Sequence, residues 1–167
     1  MVAVVRHSIQ AFTLIEVLIS VLIMSVGVLG ATGLQLRGLD ANRNAFFRIE
    51  ATQLASDIVN RIQVNPSTLY GPVTFTTAPS SAIDCTINNC TPVEMAAYDT
   101  TQWLCSINST DSTDDSTYSA CSDLGIVGSL PNGQASLTKT GNEYSIIVQW
   151  SDLKFSTASS VNLVAVP

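Results

Sequence analysis

The stretch AFTLIEVLISVLIMSVGVLGATGLQL, residues 11–36, decides the fold of this chain. Glu16 is its one charged residue, and the twenty residues that follow, 17–36, are uncharged. A helix that rises about 1.5 Å per residue crosses a hydrocarbon layer of about 30 Å in twenty residues. Arg6 and His7 precede the segment and Arg37 follows it, a modest bias that favours a cytoplasmic N-terminus. The sequence therefore predicts a membrane-spanning helix near the N-terminus.

Three kinds of N-terminal segment compete for this stretch. A secretory signal peptide has a shorter apolar region of about 7–15 residues and a small-residue cleavage site, for which residues 31–33 are a poor match. A simple signal anchor has the right length but gives no reason for Glu16, since an ionisable group at the edge of an apolar span is costly without a partner. The third kind supplies that partner.

The residues AFTLIE followed by a long apolar run resemble the type IV prepilin signature. The resemblance implies cleavage by prepilin peptidase between Ala11 and Phe12, methylation of Phe12, and a role for Thr13 in processing and docking. It also implies that Glu16 pairs with the N-terminal amine of a neighbouring subunit in the apolar filament core, where matched charges offset each other's desolvation. Ala11 departs from the glycine usual in the family. We expect cleavage after Ala11 because alanine is the next smallest residue after glycine. The sequence does not fix the rate of that cleavage.

The helix is expected to continue beyond the apolar run. From Leu36 the spacing of apolar residues becomes amphipathic, at three and four residues, and Asn65-Pro66 ends the pattern. One helix of roughly 80 Å from Phe12 to Val64 is therefore predicted. Three glycines interrupt the apolar half, and they serve either close packing between helices or local weakness of the helix: Gly27, Gly30 and Gly33.

The remaining chain, called the head (residues 66–167), predicts a sheet and one further helix. TPVE at 91–94 resembles a capping box for a helix at 92–104, within a stretch 67–131 that is otherwise mostly loop. Alternation at 143–150 predicts a strand, with partners at 135–139 and 161–166. An antiparallel sheet on the amphipathic half of the helix is the simplest arrangement. The predicted class is α+β, a long N-terminal helix packed on an antiparallel sheet with a disulfide-containing loop region.

All four cysteines lie in the head: Cys85, Cys90, Cys105 and Cys121. An even count in an exported, loop-rich segment indicates two disulfides in an oxidising compartment. A zinc site is disfavoured because no two cysteines have the usual close spacing and the only histidine, His7, lies before the membrane segment. Three pairings are possible, and proximity alone favours Cys85 with Cys90 and Cys105 with Cys121.

Several segments resemble the PilV family of minor pilins over most of the chain. They are LQLRGL (34–39), ATQLASDIVNRIQVNP (51–66), CTPVEMAAYD (90–99) with Trp103, and LPNG (130–133) leading to Trp150. The resemblance implies a leader at 1–11, a membrane and filament-core half at 12–36, an amphipathic half at 37–65 and a periplasmic head at 66–167 with strands near 134–166.

That resemblance also implies a function and partners. The expected protein is a structural subunit that helps to initiate type IV pilus assembly in a minor-pilin complex at or near the filament tip. Its expected partners are other minor pilins, the major pilin, the inner-membrane assembly platform, inner-membrane lipid, prepilin peptidase and a tip adhesin. It is expected first in the inner membrane of a Gram-negative bacterium, with the head in the periplasm, and then on the pilus at the cell surface.

Charge and composition limit the alternatives. Residues 62–167 contain two lysines and nine acidic residues, a balance that argues against nucleic-acid binding. No catalytic set is evident, so no enzyme activity and no cofactor is expected. Acidic residues at 111, 114 and 115 could offer oxygen ligands to Ca²⁺, but a solvated loop is the simpler interpretation and no metal is predicted. A type II secretion pseudopilin, or a membrane-anchored adhesin or DNA-uptake receptor, remain the alternative functions.

Overall fold

The computed structural model describes residues 12–111, 114–151 and 158–166. The predicted leader, including Ala11, lies outside the described residues. The chain forms two compact units, of which one ends at Asn44 and the other begins at Ala45. The elements are α1 (Leu14–Val64), α2 (Pro92–Ile107), α3 (Ser119–Leu124), β1 (Gln134–Thr140), β2 (Glu143–Trp150) and β3 (Ser159–Ala165). The predicted α+β class, with one long N-terminal helix and a small antiparallel sheet, is confirmed.

Helix α1 ends where its sequence requires. The amide of Asn65 donates the last helical hydrogen bond to the carbonyl of Arg61 at 3.1 Å, and Pro66 follows. Proline disfavours helical geometry in the residue before it, so Asn65 cannot continue the helix. The three glycines of the apolar half do not interrupt α1, which is helical throughout that region.

Helix α2 begins at the predicted capping box. The Thr91 hydroxyl accepts from the amide of Glu94, and a Glu94 carboxylate oxygen accepts from the amide of Thr91 at 2.8 Å. This reciprocal pair satisfies two amides that the first turn leaves without partners. These hydrogen bonds also hold the pKa of Glu94 below its usual range. The helix extends one turn beyond the predicted end, from Leu104 to Ile107.

Helix α3 was not predicted, and the description of 67–131 as loop with a single helix is wrong at this point. It has six residues, and no side chain caps its first residue. Gly125 ends it in the left-handed conformation, with φ of 65°, that glycine adopts without strain. A helix this short carries too little periodicity to be recognised in the sequence, and its Cys121 joins it to α2.

The sheet is antiparallel in the order β1-β2-β3. Ile146 in the central strand lies opposite Leu137 of β1 and Leu163 of β3. Alternate residues of β2 are buried, as the period-two pattern predicted: Tyr144, Ile146, Val148 and Trp150. They pack in one core with buried residues of α1 and α2, chiefly Ala51, Ala55, Ile58, Ile62, Trp103 and Leu104. The sheet therefore covers the apolar face of the amphipathic half.

The two disulfides differ in exposure. Cys85 pairs with Cys90 and Cys105 pairs with Cys121, the pairing that proximity favoured. Cys105 and Cys121 are 0% exposed in the core, whereas Cys85 and Cys90 are half-buried in a surface loop. A thiolate reductant reaches only sulfur atoms that it can contact.

This difference predicts stepwise reduction. Under mild reductant without denaturant, Cys85–Cys90 should open at least tenfold faster than Cys105–Cys121, because the buried pair requires the head to open first. Alkylation of the released thiols followed by peptide mass analysis measures the order. Equal rates for the two pairs would contradict the buried position of Cys105–Cys121.

Candidate functional site

The apolar half of α1 is exposed along its whole length. Phe12 is 81% exposed, and the side chains after it in the described chain remain exposed through Leu36. By its length and composition α1 could cross a membrane. No part of its most apolar stretch is buried. A continuous apolar surface of this size is not stable in water, so lipid or other apolar helices must cover it.

The hydroxyl groups of this half are satisfied within the helix. Ser20 donates to the carbonyl of Glu16 at 2.7 Å, Ser25 to that of Leu22 at 2.7 Å, and Thr32 to that of Val28. In hydrocarbon an unpaired polar group costs several kcal/mol, and these internal hydrogen bonds remove that cost. The surface is therefore compatible with lipid despite its serines and threonine.

Glu16 is the exception in this surface. It lies in the first turn of α1, where its amide donates to the carbonyl of Thr13 at 3.1 Å. Its side chain is exposed, and no cation pairs with it among the described residues. The predicted site residues Phe12, Thr13 and Glu16 thus lie together at the start of the helix, and Ala11 lies outside the described part. Among the described residues the carboxylate has no cationic partner, and an ionisable group in an apolar surface is costly without one.

The three glycines leave free space beside the helix. A side-chain carbon added at Gly27, Gly30 or Gly33 would meet no atom within 4 Å. In the part of the chain that the structure describes, nothing lies against these positions, so they have no packing role there. Close approach of a second helix is the role that this exposed surface allows.

A polar cluster at the end of α1, here called the Arg61 cluster, joins that helix to α2 and to the following loop. It consists of Arg61, Asp57, Asp99, Gln102 and Tyr70. Arg61 donates to Asp57 at 2.9 Å, to Asp99 at 2.8 Å and to the amide oxygen of Gln102 at 2.9 Å. The Tyr70 hydroxyl donates to the second carboxylate oxygen of Asp99 at 2.7 Å. Asp99 therefore accepts hydrogen bonds both from α1 and from the loop that follows it.

Burial sets the electrostatics of this cluster. The side chains of Arg61 and Asp99 are 28% and 11% exposed. Burial raises the pKa of Tyr70 far above its usual value, and the hydrogen bond to Asp99 raises it further, so the hydroxyl stays protonated and donates. Burial alone would lower the pKa of Arg61, but its hydrogen bond with Asp99 and the nearby carboxylates raise it overall.

The sequence did not reveal this cluster. Arg61 makes its contacts with Asp99 and Gln102, which lie 38 and 41 residues further along the chain. Two more bonds support the same junction. The Trp103 indole donates to the carbonyl of Leu54 at 2.8 Å. The side-chain NH₂ group of Asn65 donates to the backbone carbonyl of Pro92 at 2.7 Å.

The acidic loop between the last two cysteines forms turns. The Asp114 carboxylate accepts from the amide of Ser116 at 2.9 Å. Hydrogen bonds from the side chain and the amide of Ser116 hold the pKa of Asp114 below its usual range. The amide of Asp115 donates to the carbonyl of Asp111 at 3.1 Å. Residues 112 and 113 of this loop lie outside the described part. Within the described ranges, no three acidic, histidine or cysteine residues are grouped so as to hold a metal ion.

Two family comparisons match the chain in adjoining segments. Residues 6–32 match the prokaryotic N-terminal methylation motif, and residues 33–101 match the family described as Type IV pilin Tt1218. The two matches together cover residues 6–101 and support a type IV pilin structural subunit. Neither the curated proteins nor the solved structures give a match.

The methylation motif and the exposed apolar helix indicate how a pilin is processed and anchored. The methylation motif implies processing by prepilin peptidase and assembly into a pilus with other pilins. The motif and the apolar half of α1 fit a pilin that is anchored in the inner membrane before assembly. The family is structural rather than enzymatic. The match to residues 33–101 ends within α2, so it includes Arg61, Asp99 and their junction.

Proposed function

We propose that this pilin is a minor pilin of the PilV type, which helps to initiate type IV pilus assembly in a minor-pilin complex at or near the filament tip. The Arg61 cluster carries this proposal. The segments that resemble PilV supply its two ion pairs: 51–66 contributes Asp57 and Arg61, and 90–99 contributes Asp99. The same segments supply the bond between Asn65 and the carbonyl of Pro92. The residues that resemble PilV are thus the ones whose contacts join α2 to the amphipathic half of α1.

The N-terminus carries the assembly step of the proposal. Prepilin peptidase removes residues 1–11 on the cytoplasmic side, and the new N-terminus at Phe12 is methylated. Glu16 then pairs with the N-terminal amine of a neighbouring subunit as α1 leaves the membrane for the filament core. Its position in the first turn, without a cationic partner among the described residues, supports this step. Residues 12–36 serve as the membrane and filament-core half, 37–65 as the amphipathic half and 66–167 as a periplasmic head.

The partners follow from this role. Other minor pilins and the major pilin pack against the exposed apolar half, and the inner-membrane assembly platform takes the subunit from the lipid. A tip adhesin is carried by the complex. The acidic head, with two lysines after Arg61, does not favour nucleic acid as a partner.

The composition of sheared pili tests the proposal. Quantitative mass spectrometry of that fraction is expected to find this chain far below the major pilin in amount, and deletion of the chain is expected to reduce piliation. Equal amounts of the two would make it a major pilin. Recovery with secretion components and absence from pili would indicate a type II secretion pseudopilin.

A further inference from the structure

A cleft on the head, here called the head cleft, lies between the 75–79 loop, the end of α2 and the start of β1. Its volume is about 380 Å³. A second cleft of about 410 Å³ adjoins it, and the two share Asn108, Thr110, Asp111 and Asn132. Pockets that bind small ligands begin at about 300 Å³. The head cleft therefore has the size of a binding site, and it is distinct from the assembly surface of α1.

The walls of the head cleft combine aromatic rings with hydrogen-bonding groups. Phe75 and Tyr118 are half-buried and line it. Among the described residues, the hydroxyl of Tyr118 and the side chains of Thr110 and Asn132 have no hydrogen-bond partner. The oxygen of Asn108 accepts from the amide of Thr110 at 3.0 Å, which leaves its NH₂ group available. Polar groups without internal partners thus converge on one concave surface, whereas those of the Arg61 cluster bond to one another.

The charges of the head cleft exclude anionic ligands. Asp111 is the one carboxylate among the described residues that line it, and none of the described residues that line either cleft is a lysine or an arginine. A phosphate, a sulfate or an acidic sugar would find no cation among these lining residues. The side chains of Asn108, Thr110, Tyr118 and Asn132 offer both donors and acceptors. A hydroxyl group both donates and accepts, so it can satisfy all of these side chains.

The backbone beneath the head cleft is closely packed. A side-chain carbon at Gly133 would lie 2.8 Å from the carbonyl oxygen of Ile107, and one at Gly128 would lie 2.5 Å from the Cα of Asn108. Only glycine allows these approaches. Asn132 is held in the left-handed region with φ of 47°. The backbone of this wall is therefore fixed before any ligand arrives, which reduces the entropy cost of binding.

We propose that the head cleft binds a neutral saccharide. The faces of Phe75 and Tyr118 cover the apolar C–H surface of a pyranose ring. Asn108, Thr110, Tyr118 and Asn132 exchange hydrogen bonds with its hydroxyl groups. This binding is separate from the proposed role in pilus assembly, since none of these residues lies on the apolar half of α1.

Saturation-transfer NMR tests the proposal on the full-length chain in lauryldimethylamine oxide micelles, a detergent without a sugar headgroup. The probes are glucose, galactose, mannose, N-acetylglucosamine and N-acetylgalactosamine at millimolar concentration, with glucuronate and choline as charged comparators. At least one neutral sugar is expected to show transfer that exceeds both comparators. No transfer from any of the five, or stronger transfer from a charged comparator, would overturn the proposal.

Two variants locate the binding. Tyr118→Phe removes one hydroxyl, and Asn132→Gly removes one amide while keeping the left-handed backbone accessible. Each is expected to weaken binding about fivefold, as for one lost hydrogen bond. Asn142→Gly makes the same chemical change in the exposed β1–β2 turn, away from the head cleft, and should leave binding unchanged. Wild-type affinity in both cleft variants, with unfolding temperatures unchanged, would place the sugar elsewhere and overturn the assignment.

Discussion

Replacing Glu16 with alanine is expected to leave cleavage and methylation intact while lowering incorporation into pili at least tenfold. In the filament core, the amine of the neighbouring subunit would lose the carboxylate that offsets its desolvation. Removing one member of a buried ion pair costs about 3–5 kcal/mol, and about 1.4 kcal/mol already changes an equilibrium tenfold. The measurement is the ratio of this chain in the sheared pilus fraction to that in the membrane fraction, with the N-terminus checked by mass.

Two further variants separate charge from packing at this position. Glu16→Gln keeps the shape and hydrogen-bonding groups but not the charge, so it should fail as Glu16→Ala does. Ser20→Ala is the matched control one turn on, because the Ser20 hydroxyl bonds only to its own helix and should be dispensable. Normal piliation with Glu16→Ala would remove the charge-pairing argument. Loss with Glu16→Ala but not with Glu16→Gln would assign the effect to hydrogen bonding instead.

Replacing Asp99 with alanine is expected to destabilise the head by about 3 kcal/mol, which lowers the unfolding temperature by about 10 °C. The change leaves the Arg61 guanidinium without its least exposed carboxylate and the Tyr70 hydroxyl without its acceptor. Asp99 lies in α2 and its partners lie in α1 and the loop that follows, so the junction loses bonds to both. Thermal unfolding of the full-length chain in micelles, followed by near-ultraviolet circular dichroism of the buried tryptophans, measures the loss.

Asp57→Ala is the matched control for Asp99→Ala. Asp57 pairs with the same guanidinium at 2.9 Å, but its side chain is 47% exposed and it lies on the same helix four residues earlier. Exposed pairs of this kind contribute less than about 1 kcal/mol. A loss with Asp99→Ala no larger than that with Asp57→Ala would show that the Arg61 cluster does not hold α2 in place.

Features that depend on neighbouring residues were accessible from the sequence. The apolar run was recognised because the thickness of hydrocarbon sets its length, and the capping box was recognised because its two partners lie three residues apart. Burial of alternate residues in β2 followed from the period of two. The end of α1 followed from Pro66. Each of these rules acts within a few residues, so a single sequence contains it.

Features that depend on distant residues were not accessible. Nothing in the surroundings of Arg61 indicates that its partner is Asp99, because the fold brings the two together across 38 residues. The head cleft likewise joins Phe75, Tyr118 and Asn132 from three separate segments. Helix α3 is stabilised by Cys121 and the core around it rather than by its own periodicity. Tertiary packing, which no local pattern encodes, decides all three.

The native N-terminus tests the central claim most directly. Intact mass and N-terminal peptide analysis of the chain from its own cells should find a protein that begins at Phe12 with a methylated amine. That result requires cleavage after Ala11 and places Glu16 where its carboxylate can reach a neighbouring amine. A chain that begins near Leu34 would instead identify an ordinary secreted protein, and one that keeps residues 1–11 would identify a simple membrane anchor. Either result would contradict a pilin that assembles through this helix.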